Sequence, residues 1–160
     1  MNTMEERSVI HSTFVIERSY PANPGRVFAA FADAAKKRRW YADSDHHDVE
    51  QFEMDFRAGG VENARYRMNA STPFPGTVLS SDGSYQDIVL NRRVVIASTM
   101  SLAGKRISAT LVTFEFIATE KGTDLIFTHQ GAFFEGADGP KMREEGWQKL
   151  LDRLTAEIGS

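Results

Sequence analysis

Met142-Arg143-Glu144-Glu145-Gly146-Trp147-Gln148-Lys149-Leu150-Leu151-Asp152-Arg153-Leu154 is the stretch on which the fold turns. Trp147, Leu150, Leu151, Leu154 and Ile158 recur three and four residues apart, which places them in one apolar stripe of an amphipathic helix. Before this stretch lie about a hundred residues of strand-like sequence. A sheet followed by one long helix predicts a helix gripped by a sheet, an arrangement that often leaves a cavity between the two.

Working back from that helix, short strands alternate with turn residues. Leu125 to Gln130, Ser108 to Thr119, Val94 to Met100 and Tyr85 to Leu90 read as strands. Lys121-Gly122-Thr123, Ala103-Gly104-Lys105, Asn91-Arg92 and Asp82-Gly83 read as the turns between them. Ala64, Tyr66 and Met68 alternate with Arg65 and Arg67, one face buried and one solvated. Gly59-Gly60 is a tight turn, and Thr72-Pro73-Phe74-Pro75-Gly76 is a loop. A strand starts at His47, where Asp48, Glu50, Phe52, Met54 and Phe56 share one parity. His11 to Tyr20 is a first strand. Asn23 caps a short helix with Pro24 at its first position and an end near Ala32. Asp33 opens a second short helix, Ala34 to Trp40. Residues 131–138 read as a loop, with Asp138 as cap of the last helix and Pro140 just inside it.

The order is strand, two short helices, about six strands, long helix, so the fold class is α+β. With 160 residues and no linker or repeat, residues 1–160 are expected to form a single domain, with a frayed start over residues 1–8. Net charge is −3, which gives no basic field for nucleic acid. There is no cysteine, so disulfide, zinc-thiolate and thiol chemistry are excluded. No apolar run reaches a membrane span of roughly 20 residues, and the start lacks the apolar core of a secretory signal. A cytoplasmic location is expected.

Several pieces, in this order and spacing, resemble the family of the activator of heat-shock protein 90 ATPase homologue, within the START-like helix-grip (SRPBCC) superfamily. They are Phe14 to Ala22 with Val27-Phe28, Arg39-Trp40-Tyr41, Asp55 to Gly60, Gly83 to Val89, and Gly146-Trp147-Gln148 with Leu150-Leu151. The resemblance covers about residues 11 to 158. It implies a helix-grip fold, a curved antiparallel sheet of six to seven strands wrapped on the long C-terminal helix. It also implies a cavity beneath that helix, where the superfamily binds lipids, sterols, polyketides and plant hormones. The superfamily includes polyketide cyclases, and the family is named for a co-chaperone.

The expected function is therefore to bind a small apolar molecule between sheet and helix. Phe114, Phe116, Phe127, Met68 and Met100 are expected to line the cavity, with Trp147 and Leu151 covering it and His129 and Tyr85 as polar contacts. Trp40 has two readings, cavity rim beside Tyr41 or sheet-packed core. His129 also has two. It shares strand parity with Leu125 and Phe127, so it is either a ligand contact and candidate base or a satisfied core histidine. Tyr66, Ser98, Thr110 and Gln130 could also project inward. The eleven Phe residues either line the cavity or fill it. His46 and His47 point to opposite faces and read as a solvated loop rather than a metal site. Arg57, Arg65, Arg67, Arg92, Arg93, Lys105 and Arg106 read as a solvated outer face.

No phosphate loop, His-Glu-x-x-His or GxSxG motif is present, so an enzyme is the less favoured reading and no cofactor or metal is expected. A chaperone-accessory module and a cyclase using His129 stand as alternatives. Edge strands leave a homodimer open.

Overall fold

The computed structural model describes residues 8–159. The described residues form β1 (Ile10–Tyr20), α1 (Pro24–Ala32), α2 (Ala34–Lys37), β2 (His47–Met54), β3 (Val61–Met68), β4 (Val78–Val89), β5 (Arg93–Leu102), β6 (Lys105–Thr119), β7 (Gly122–Phe133) and α3 (Pro140–Ile158). The strands make one antiparallel sheet in the order β1-β7-β6-β5-β4-β3-β2. The two short helices carry the chain from one edge of the sheet to the other. The fold is α+β and consistent with a helix grip. The frayed start expected over residues 1–8 falls, for 1–7, outside the described residues.

The first helix begins where the sequence places it. Asn23 accepts from Arg26 N at 2.9 Å, with Pro24 inside the first turn. Asp33 accepts from Lys36 N at 3.1 Å and opens α2. The regular helix stops at Lys37, short of the expected Trp40, and passes into one π turn over Arg38–Ala42. A π turn inserts a residue into the helical count and re-aims the side chains after it. Trp40 is thereby sunk into the core, 1% exposed, and donates from Nε1 to Ala30 O at 2.8 Å.

Four local expectations are corrected. Asp82-Gly83 is not a turn. Both lie inside β4, where Gly83 pairs with Glu62 on one side and Ser98 on the other. A Cβ on Gly83 would sit 3.1 Å from Ser98 Cβ and 3.2 Å from Glu62 O, so the glycine permits close strand approach rather than a bend. Residues 131–133 belong to β7, and Phe133 is buried. Asp138 does not cap α3; Gly139 holds that position, and the Asp138 carboxylate instead receives Arg143 Nε at 2.7 Å and Nη2 at 2.8 Å. In β2 the register shifts between Val49 and Gln51. Such a bulge swaps the faces of the strand. His47 and Val49 thus share the half-buried side with Phe52 and Met54, while Glu50 turns outward to Arg67.

The core lies between the inner sheet face and the helices. Trp147, Leu151, Leu154 and Ile158 of α3 join Val27, Phe28 and Phe31 of α1 and Phe114, Phe116, Leu125 and Phe127 of the sheet. Phe114 and Phe127 stack at 4.9 Å, and Trp147 covers Phe127 at 4.5 Å. At the β1 edge Arg18 reaches α3, with Nη1 2.8 Å from Asp152 Oδ1 and Nη2 2.6 Å from Gln148 Oε1. Among the described residues no helix is long and apolar enough to cross a membrane.

Candidate functional site

Antiparallel register sets the cavity. Inward-facing residues of neighbouring strands fall into rows across the sheet. One row is bulky: Val94, Phe114 and Phe127 stand side by side, with Ile16 next in β1. The next row is mixed: Tyr85, Ile96, Val112, His129 and Phe14. The row beyond is small and polar: Glu62, Gly83, Ser98, Thr110 and Gly131. Two glycines, a serine and a threonine cannot fill the space under α3. A largely enclosed cavity of ≈ 40 Å³ opens there. At roughly 10–15 Å³ per site, it has room for about three waters.

Polar residues outnumber apolar ones in its wall. Lys37, Tyr41, Glu62, Ser81, Ser98, Thr110, His129 and Arg143 face it, against Ile96, Met100, Val112, Phe114 and Trp147. Of the residues expected to form a site, Met100, Phe114, His129 and Trp147 are therefore brought together. The others stand elsewhere. Phe116 packs edge-on to Phe28 and Phe31 at 5.3 and 5.1 Å. Phe127 and Leu151 lie in the core one layer away, and Trp40 beside Phe31. Met68 packs with Ala64 and Tyr66 in a separate cluster toward β2. Tyr85 is outside the wall, but its hydroxyl donates to Glu62 Oε2 behind it. Gln130 is exposed on the outer face, and Ser98 and Thr110 hydrogen-bond each other at 3.0 Å.

The charged groups are the part that sequence reasoning missed. Lys37 Nζ lies 3.3 Å from Glu62 Oε2, with side chains 2% and 6% exposed. The ammonium also sits over the rings of Tyr41 at 4.5 Å and Trp40 at 5.1 Å, an arrangement that favours the cation. Burial still pushes the Lys37 ammonium below the usual lysine range, against the pull of Glu62. Burial, and then the Glu62 charge, raise the Tyr41 and Tyr85 phenols above the ordinary tyrosine value, so both are neutral donors. Arg143 is held by Asp138, by Ser108 Oγ at 3.1 Å, and by stacking on Phe133 at 5.0 Å. A signal for two of the three was present. Glu62 shares parity with Ala64, Tyr66 and Met68, and Arg143 stands four residues before Trp147 on the same helical stripe.

His129 is 1% exposed and clamped between rings, stacked on Phe14 at 4.5 Å. Its Nδ1 is fully buried and has no hydrogen-bond partner among the described residues. Burial, reinforced by the Arg143 charge, lowers its pKa to about 4, so the imidazole is neutral at pH 7. A neutral imidazole has one donor and one acceptor to satisfy. No carboxylate orients it. His46 and His47 bond Ser71 Oγ at 3.1 Å and Ala42 O at 2.6 Å, and no cluster fit for a metal occurs among the described residues. On the outer face Arg65 and Arg67 pair with Glu50, Arg57 with Asp55 and Arg93 with Asp87.

The sequence profile of the family described as activator of Hsp90 ATPase homolog 1-like protein matches residues 21–159. No curated protein matches the chain. A protein from Rhizobium loti is 45% identical over 95% of this chain and 100% of its own, with a TM-score of 0.84. A Rhizobium leguminosarum protein is 35% identical over 95% of this chain and 97% of its own, with a TM-score of 0.87. At 19% identity, an AHSA1-like protein from Aeromonas hydrophila shares the fold, with a TM-score of 0.68 over 92% of each chain. The profile spans most of the chain, and the chain belongs to the activator of Hsp90 ATPase homolog 1-like family.

Proposed function

We propose that this protein binds a small molecule in the cavity between the sheet and α3. The observation that carries the reading is His129, a buried imidazole on the cavity wall whose Nδ1 has no hydrogen-bond partner among the described residues. Leaving buried polar atoms unmatched costs about 1–3 kcal/mol each, and a guest or bound water removes that cost. The wall favours a guest of mixed character rather than a purely apolar one. A polar group meets His129, Ser98 and Thr110, and an apolar part meets Ile96, Val112, Phe114 and Trp147.

Ligand pockets usually measure about 300–1,000 Å³, so the present cavity of ≈ 40 Å³ takes a very small guest or the head of a larger one. Tyr41 belongs both to its wall and to a surface groove beside Asp43, His46, Leu150 and Arg153. A larger guest would extend into that groove once Tyr41 turns aside.

Native mass spectrometry of the purified protein, repeated after denaturation, tests the reading. A released small molecule is expected from the wild type and not from Ser98→Leu, which fills the polar row. A clean protein mass for both, with no small-molecule probe shifting the Trp147 indole resonance, would count against it.

A further inference from the structure

We propose that the guest carries a carboxylate, held between Arg143, His129 and the Ser98–Thr110 hydroxyl pair. The inference rests on the binding reading above and names its ligand class. It comes from the guanidinium donor of Arg143 and the unpartnered imidazole of His129 on one wall.

Arg143 spends Nε and Nη2 on Asp138 and Ser108, and Nη1 has no hydrogen-bond partner among the described residues. Ser98 and Thr110 hold two hydroxyl protons between them, and their mutual bond uses one. The second is free to turn toward a guest. His129 adds one N–H and one acceptor. The hydroxyl oxygens and one imidazole nitrogen can accept as well as donate, so the Arg143 guanidinium is the group here that can only donate. A carboxylate is acceptor-only, with two oxygens and about four lone-pair sites, and bonds from a guanidinium to it are the strong, charge-assisted kind.

The charges agree. Lys37 and Glu62 face the cavity as a mutual pair, so they contribute no net charge. Arg143 faces it too, while its partner Asp138 is not part of the wall and is 24% exposed in the loop before α3. A guest in the cavity therefore meets the guanidinium of that ion pair and not its carboxylate. Against this stands Glu62 Oε1, an acceptor with no hydrogen bond among the described residues. It lies beside the Lys37 ammonium, on β3, four strands from His129 on β7.

The supports are rigid. Arg143 stacks on Phe133 at 5.0 Å, and the His129 ring lies nearly parallel to the same Phe133 at 6.1 Å. Phe133 is buried. Neither polar group has to be ordered when the guest arrives, which lowers the cost of binding.

The test uses propanoate and its near-isostere propanamide at pH 7, followed through the Trp147 indole NH in nitrogen-15 NMR titrations. Propanoate is expected to bind about tenfold tighter than propanamide, the difference between a charged and a neutral hydrogen-bonded partner. Arg143→Gln should remove the difference and Arg143→Lys should keep part of it. If Arg143→Gln does not fold, the comparison on the wild type decides alone. Equal or tighter binding of propanamide overturns the carboxylate and leaves the binding reading standing. Silence of the indole with both probes overturns both.

Discussion

Lys37→Met should be the most damaging single substitution at the site, and its cost should vanish when its partners are changed with it. At 3.3 Å and an effective dielectric of about 20, the Lys37–Glu62 attraction is roughly 5 kcal/mol. Removing the ammonium leaves Glu62 buried, with the Tyr85 hydroxyl as its remaining donor. Breaking a buried pair in this way costs about 3–5 kcal/mol. For a chain of this size that lowers Tm by about 6–20 °C. The double variant Lys37→Met with Glu62→Leu has no buried charge here. It should lie only about 1–3 kcal/mol below the wild type, because the Tyr85 hydroxyl then lacks its acceptor. Adding Tyr85→Phe should bring stability back to the wild-type level or above it, as apolar replacements of buried ion pairs often do. Urea denaturation and calorimetry at pH 7 measure all the corners of this cycle. Costs that simply add in the double variant would refute the reasoning, since the two charges would then not be coupled. So would a Lys37→Met cost below about 1 kcal/mol.

The pH dependence of stability should carry the signature of His129. Its folded pKa of about 4 is below the ordinary value of 6.5, so between those pH values the unfolded chain holds more protons. Stability should fall as pH falls through that window, by roughly 3 kcal/mol at about 1.4 kcal/mol per unit, and level off below it. Urea titrations should show His129→Phe flatter than the wild type by that amount; identical profiles would place the imidazole in water. Gly146 is exposed in mid-helix, and an added Cβ meets nothing within 4 Å. Gly146→Ala should therefore raise stability by about 1 kcal/mol and Tm by about 2–4 °C, read by thermal melting. Gly122 is the opposite case, with φ +148° and a Cβ position 2.1 Å from Tyr20 O. Gly122→Ala should cost at least about 2 kcal/mol by the same melt.

What the sequence discloses depends on whether a feature is local or cross-strand. Asn23, Pro24 and Asp33 announce the two short helices because capping is settled within three residues. The stripe from Trp147 to Ile158 announces α3 because helical spacing is local too. Asp82-Gly83 misleads because those residues form a turn in most contexts, and here the reason for the glycine is Ser98, fifteen positions away. The aromatic residues are found as inward-facing, yet parity does not say which row of the sheet they occupy. Phe116 and Phe127 point inward like Phe114, and they fill core next to the cavity instead of lining it. Lys37 is hidden for another reason. Two lysines and two arginines in a row read as a solvated helix end, and nothing local marks Lys37 as the one of the four that is buried against Glu62.

The buried charges also separate a packed core from a prepared site. The superfamily resemblance points to an apolar pocket, and eleven Phe residues could have filled this one with hydrocarbon. Instead the register lines up glycines, serine and threonine in one row. Around that row stand a lysine, a glutamate, an arginine and a histidine, three of them bound to fixed partners. A buried ion pair taken as a whole is often no more stabilising than apolar residues of similar volume. Departures from local consistency of this kind concentrate where a fold has work to do. Lys37 and Glu62 hold each other, Asp138 and Ser108 hold Arg143, and the one without a partner is His129. A wild type less stable than its apolar triple variant, and able to bind where a filled variant cannot, would show that stability had been traded for a site.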